Sequence, residues 1–76
     1  MVVFLGPARE AAGTGRSVVP GTSVGEVVAS VRARFGPGMD DLLAVSRVWL
    51  NGAPADPDAP VGPDDEVAIL PPVSGG

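Results

Sequence analysis

The residues of this chain best placed to do chemistry are its last seven, Leu70-Pro71-Pro72-Val73-Ser74-Gly75-Gly76. Gly75 and Gly76 carry no side chain, so only backbone surrounds the terminal carboxylate. A partner's narrow channel could close on it from all sides, which any Cβ would hinder. Pro71 and Pro72 fix φ and remove two backbone donors, so the stretch cannot extend a sheet ladder or coil into a helix. It is expected to leave the core stiff and extended and to become a flexible tail over 70–76. The run before it, Val67-Ala68-Ile69-Leu70, reads as a final buried strand. The expectation is a short projecting arm whose reactive group is the Gly76 carboxylate, with Leu70, Pro71, Pro72, Val73, Ser74 and Gly75 as the segment a partner grips. A frayed, uninvolved end also tends to be rich in small residues. The stiff start, the lack of a linker and the lack of charged side chains favour the functional reading.

The rest of the chain offers little chemistry of its own. Its 76 residues contain no Cys, no His and no Lys, and nine acidic groups against five arginines give a formal charge of −4. Without Cys there is no disulfide framework, thiolate metal site or nucleophilic thiol. Without His the commonest metal ligand and the side chain that titrates near neutrality are both absent. Without Lys there is no Schiff-base amine and no internal side-chain acceptor for an activated acyl group. No bound metal or cofactor is expected, and no catalysis by the chain itself. The arginines form no basic stripe able to displace counterions, so no nucleic-acid partner is expected. No apolar run approaches the roughly 18 residues of a membrane span and no leader pattern opens the chain, which makes the cytoplasm the default location.

Elements that must position the arm follow from pattern and punctuation. A chain of this size has material for one small domain, taken as residues 1–76. Val2-Val3-Phe4-Leu5 reads as a central strand, Ala8 to Gly13 as a small-residue connector, and Ser17-Val18-Val19 as a second strand completing a hairpin. Ser23 and Glu26 form a capping box, and Val24, Val27, Val28, Val31 and Phe35 make one apolar helical stripe. A short second helix is expected over Met39 to Val45. Arg47 to Leu50 reads as a strand, Asn51-Gly52 as a type I′ turn, and the proline-broken stretch from Ala53 as a brief edge strand. Core packing is the expectation for both Phe4 and Trp49, the alternative being an exposed aromatic on the sheet that anchors a partner. Arg9 either holds the arm or a partner's carboxylate, or is simply solvated. If the first and last strands are adjacent and parallel, the arm leaves from mid-sheet, and the order is that of a ubiquitin-like β-grasp: α+β, a mixed sheet packed against one main helix.

Several stretches carry a resemblance to a known family: Phe4-Leu5 followed by Arg9-Glu10 and Gly13, the Ser23-Val24-Gly25-Glu26 helix opening, the Val48 to Asn51 strand and turn, and Asp65 through Gly76. With these the chain resembles the β-grasp sulfur carriers of the MoaD and ThiS type, most closely MoaD, the small subunit of molybdopterin synthase. The resemblance implies that an E1-like enzyme uses ATP to adenylate Gly76. Sulfur from a cysteine-derived persulfide, supplied by a sulfurtransferase or cysteine desulfurase, then leaves a C-terminal thiocarboxylate. It further implies that the arm enters a MoaE-like large synthase subunit and gives sulfur to the pterin precursor. Delivery to cysteine, thiamin or a secondary metabolite is the alternative destination, and attachment to amines of other proteins is the alternative fate.

Overall fold

The computed structural model describes residues 1–72. Five strands form one mixed sheet: β1 (Val2–Phe4), β2 (Arg16–Ser17), β3 (Arg47–Leu50), β4 (Ala53–Pro54) and β5 (Val67–Leu70), in the order β2-β1-β5-β3-β4. β5 is the central strand, parallel to β1 and antiparallel to β3. Alternation along the strands sends Val2, Phe4, Val67 and Ile69 to one face, where each is at most 1% exposed. Three helices cover that face: α1 (Pro7–Ala12), α2 (Val24–Phe35) and α3 (Pro37–Val45), contributing Ala8, then Val24, Val27 and Val31, then Met39 and Leu43 to the same core. This is the expected α+β β-grasp, with α2 as its main helix.

The start of α2 accounts for each of its first three backbone donors. Val24 N–H donates to the Ala59 carbonyl at 3.0 Å, Gly25 N–H to the Pro57 carbonyl at 2.9 Å, and Glu26 N–H to Ser23 Oγ at 3.2 Å. Ser23 is therefore the N-cap that the sequence predicts. The reciprocal half of the capping box shifts by one residue, because Glu26 Oε1 accepts from the backbone N–H and hydroxyl of Thr22, at 2.9 and 3.0 Å. Gly21, just upstream, has φ 151°, and a Cβ there would lie 2.7 Å from Val27 N, so only glycine lets the chain pass this close to the helix.

Three expectations need correction. The connector after the first strand is helix α1, started by Pro7 at its first turn and ended by Gly13 in the left-handed region. β1 and β2 do pair antiparallel, but through this helix rather than a plain loop. The second strand is Arg16–Ser17 instead of Ser17 to Val19. Gly15 O accepts from Phe4 N–H at 2.9 Å and sets the register, leaving Val18 78% exposed beyond the sheet. Trp49 does not join the core. Val48 and Leu50 take the helix-facing positions of β3, so Trp49 between them faces the other side.

The β3–β4 turn has the expected geometry, with positive φ at both Asn51 (51°) and Gly52 (84°). Asn51 also ties this end of the sheet together: its side chain donates to Asp65 Oδ1 and accepts from Glu66 N–H, both at 2.9 Å.

Hydrogen bonds lower the pKa of two carboxyls. Glu26 is lowered by the Thr22 backbone N–H first and the Thr22 hydroxyl second; Asp65 is lowered by the Gly62 backbone N–H first and the Asn51 amide second. A carboxyl lowered in the folded state contributes stability above its ordinary pKa, 4.5 for Glu26 and 3.8 for Asp65, that is lost as pH falls through the depressed value. The double substitution E26Q/D65N should therefore lower the melting temperature at neutral pH, and this deficit should shrink on acidification to about pH 3. Thermal melts at the two pH values check it; a deficit that grows in acid would refute the linkage.

Candidate functional site

The arm's base is built by the central strand. Ile69 O accepts from Leu5 N–H at 3.3 Å, and Leu70 sits opposite Arg47 in the β3–β5 register, so the last strand residues are held from both sides. Pro71 and Pro72 follow, with no N–H to offer either neighbour, and the ladder ends there. Leu70 and Pro71 are half-buried and Pro72 is exposed. Together with Val45 and Arg47 they line a groove of about 260 Å³. Of the residues expected to carry function, Leu70, Pro71 and Pro72 thus lie together at the exit from the sheet, while Val73, Ser74, Gly75 and Gly76 lie outside the described residues.

Val45 and Arg47 were not singled out in the sequence. Val45 ends α3 and is 61% exposed, and Arg47 opens β3; only the antiparallel register of β3 on β5 brings them to the arm. Arg9 takes another place. Its side chain lies along the loop after α1, near enough that a methyl on Gly15 would meet Nε at 3.5 Å. It lines an open hollow with Gly6, Pro7, Glu10, Gly13 and Thr14. Among the described residues it forms no ion pair, so nothing there assigns it to the arm.

Chemically the described residues form a presenting surface. Among them no three His, Cys, Asp or Glu side chains gather as a metal site would require, and no helix is long and apolar enough to cross a membrane. Among the described residues no polar or charged residue is buried. One buried polar atom stands out: Trp49 Nε1, for which the described residues supply no acceptor. An unpaired buried N–H costs about 1–3 kcal/mol. Replacing Trp49 by Phe keeps most of the ring and removes the orphan donor, so W49F should match the parent in stability or exceed it by about 1 kcal/mol. Denaturant unfolding tests this; a loss beyond about 2 kcal/mol would mean the indole N–H is paired in solution.

The same architecture recurs in solved structures. The solution structure of small archaeal modifier protein 1 from Methanosarcina acetivorans is similar at a TM-score of 0.87 and 26% identity, with 99% of this chain and 93% of that chain covered. Subunit 1 or 2 of the molybdopterin-converting factor from Helicobacter pylori, solved as their complex, matches at 0.75 and 26%, covering 99% and 95%. A chain of the BexX/CysO complex from Amycolatopsis orientalis shares the fold at a TM-score of 0.80 and 23% identity, covering 99% and 97%. In sequence the agreement extends from the first strand through both terminal glycines, for residues 2–76 match the ThiS family throughout, and the chain belongs to it.

Proposed function

We propose that the chain is a sulfur carrier that works through a thiocarboxylate on Gly76, with the molybdopterin precursor as acceptor and the chain serving as small subunit of the synthase. The observation that carries this reading is the ThiS-family match running through Gly75-Gly76 behind a central strand that stops at Pro71-Pro72. A terminal carboxylate, with an ordinary pKa of about 3.3–3.7, is ionised at neutral pH and is a poor electrophile. The carrier has no Lys, His or Cys with which to activate it. An E1-like enzyme supplies the activation: the carboxylate attacks the α-phosphorus of ATP, pyrophosphate leaves, and an acyl-adenylate forms. The terminal sulfur of a persulfide on a sulfurtransferase then attacks the acyl carbon and expels AMP. A second thiol cleaves the resulting acyl disulfide, forming a disulfide with the donor cysteine and freeing the thiocarboxylate.

Likeness to an archaeal modifier protein supports a second reading, in which the activated glycine is joined to amines of other proteins. Intact mass spectrometry after incubation with ATP, the activating enzyme and a sulfur donor separates the two. A mass rise equal to exchange of one oxygen for sulfur supports the carrier. Conjugates to lysines of other proteins favour the modifier, and an unchanged mass with every partner refutes both. Mixing the thiocarboxylate with the large synthase subunit and the pterin precursor then tests the destination, and absence of a dithiolene product removes molybdopterin.

A further inference from the structure

The helices cover one face of the sheet and leave the other bare, and the outer strands β2 and β4 give it two edges. An edge strand presents a row of unpaired N–H and C=O groups on which another chain can lay a strand of its own. At β4 the row is cut short, because the strand has two residues and one of them is Pro54, which has no N–H. β2 contains no proline. In its ladder with β1, Phe4 N–H donates to Gly15 O, so alternation turns the N–H and C=O of Arg16 away from β1, with Val18 and Pro20 next along the same line. Side chains of the same molecule meet almost all of these groups. The Thr14 hydroxyl serves both groups of Arg16, donating to the carbonyl at 3.0 Å and accepting from the N–H at 3.3 Å. Arg34 Nη1 donates to Val18 O at 3.1 Å, and Ser30 Oγ donates to Pro20 O at 2.7 Å. Pro20 has no N–H to offer. Among the described residues, Val18 N–H is then the one group on this line without a partner.

We propose that Thr14, Ser30 and Arg34 close the β2 edge, and that the strand they keep off it is β2 of a second copy of this chain. A second copy brings the same line of groups, and antiparallel pairing about a two-fold axis sets N–H against C=O along it. Such pairing would also cover Val18, whose side chain is 78% exposed. The blocking groups come from two sources. Thr14 folds back on its own strand over two residues, a local bond that competes with ladder formation. Ser30 and Arg34 lie one turn apart on α2 and strap the chain leaving β2 to that helix. The edge is therefore guarded by hydrogen bonds already made, which an incoming strand must break before it gains its own. The inference concerns β2 alone and stands apart from what Gly76 carries.

The test compares the full-length parent with T14V, R34M, T14V/R34M and T14V/V18P/R34M by sedimentation velocity over a concentration series. T14V keeps the side chain's shape and removes its hydroxyl. R34M keeps much of the stem, removes the donor and makes the chain more negative, which by itself opposes association. The expected result is a monomeric parent and self-association at least about tenfold tighter in T14V/R34M, with each single variant shifted the same way to a smaller extent. V18P removes the last free N–H on the line and should return the double variant to monomer. In the dimer of T14V/R34M, the Val18 amide should exchange with solvent about tenfold or more slowly than in the parent, followed by NMR. A double variant as monomeric as the parent overturns the inference. So does a dimer that V18P fails to disperse, since that association would run through apolar surface instead of an added strand. A parent that already pairs with its Val18 amide protected overturns it as well, because the edge would then be open.

Discussion

Deletion of Gly76, or addition of one residue after it, should abolish sulfur loading while leaving the thermal midpoint within about 2 °C of the parent. Such a shift corresponds to less than about 0.5 kcal/mol for a domain of this size. The loss is expected to be complete because the acyl carbon is the group transferred. Deletion moves that carbon back to Gly75, one residue short, and addition buries it within a peptide bond. Stability should barely respond, since the buried cluster runs from Val2 to Ile69 and the ladder stops at Leu70, ahead of the two prolines. Mass spectrometry of the loading reaction and a thermal melt on the same samples decide it. A midpoint that falls in step with loading would mean that the last residues hold the fold together.

The same reasoning explains which features were legible in the sequence. The α2 helix announces itself because its cap and its stripe are both local: Ser23 and Glu26 lie three residues apart, and Val24, Val27 and Val31 recur on one face. The central strands are legible as short uninterrupted apolar runs, Val2 to Leu5 and Val67 to Leu70, although burial on both faces is not what the sheet provides: only the alternate residues Val2, Phe4, Val67 and Ile69 are buried against the helices. Helix α1 has no such stripe. Ala8 is its only buried side chain, and its signals were the Pro7 start and the Gly13 end rather than any period. Trp49 was misplaced because size was weighed ahead of parity; one large ring cannot displace the two aliphatic neighbours that must share the opposite face. At the arm's base, Leu70 to Pro72 follow from the chain itself. Val45 and Arg47 come from elsewhere, through a strand register that no local pattern encodes.

Phe4 is where the fold is most vulnerable. It is 1% exposed, closes β1 opposite Ile69 of the central strand, and meets Phe35 of α2 edge-on with ring centroids 5.2 Å apart. Phe4→Ala removes that ring from between sheet and helix, at a cost of about 3–5 kcal/mol. A 76-residue domain has roughly 4–11 kcal/mol to lose at about 0.05–0.15 kcal/mol per residue. The variant should therefore melt roughly 12–40 °C lower or show no cooperative transition. Leu5→Ala, one position along but on the bare face, should cost less than about 1 kcal/mol, because its side chain is already 44% exposed. Circular-dichroism melts of the two variants make the comparison, and equal losses would refute the assignment of faces. Loading should follow the same division. At a temperature where Phe4→Ala is unfolded, loading should fail along with the sheet that presents the arm, and cooling below the transition should restore it, whereas deletion of Gly76 should stay inert at every temperature.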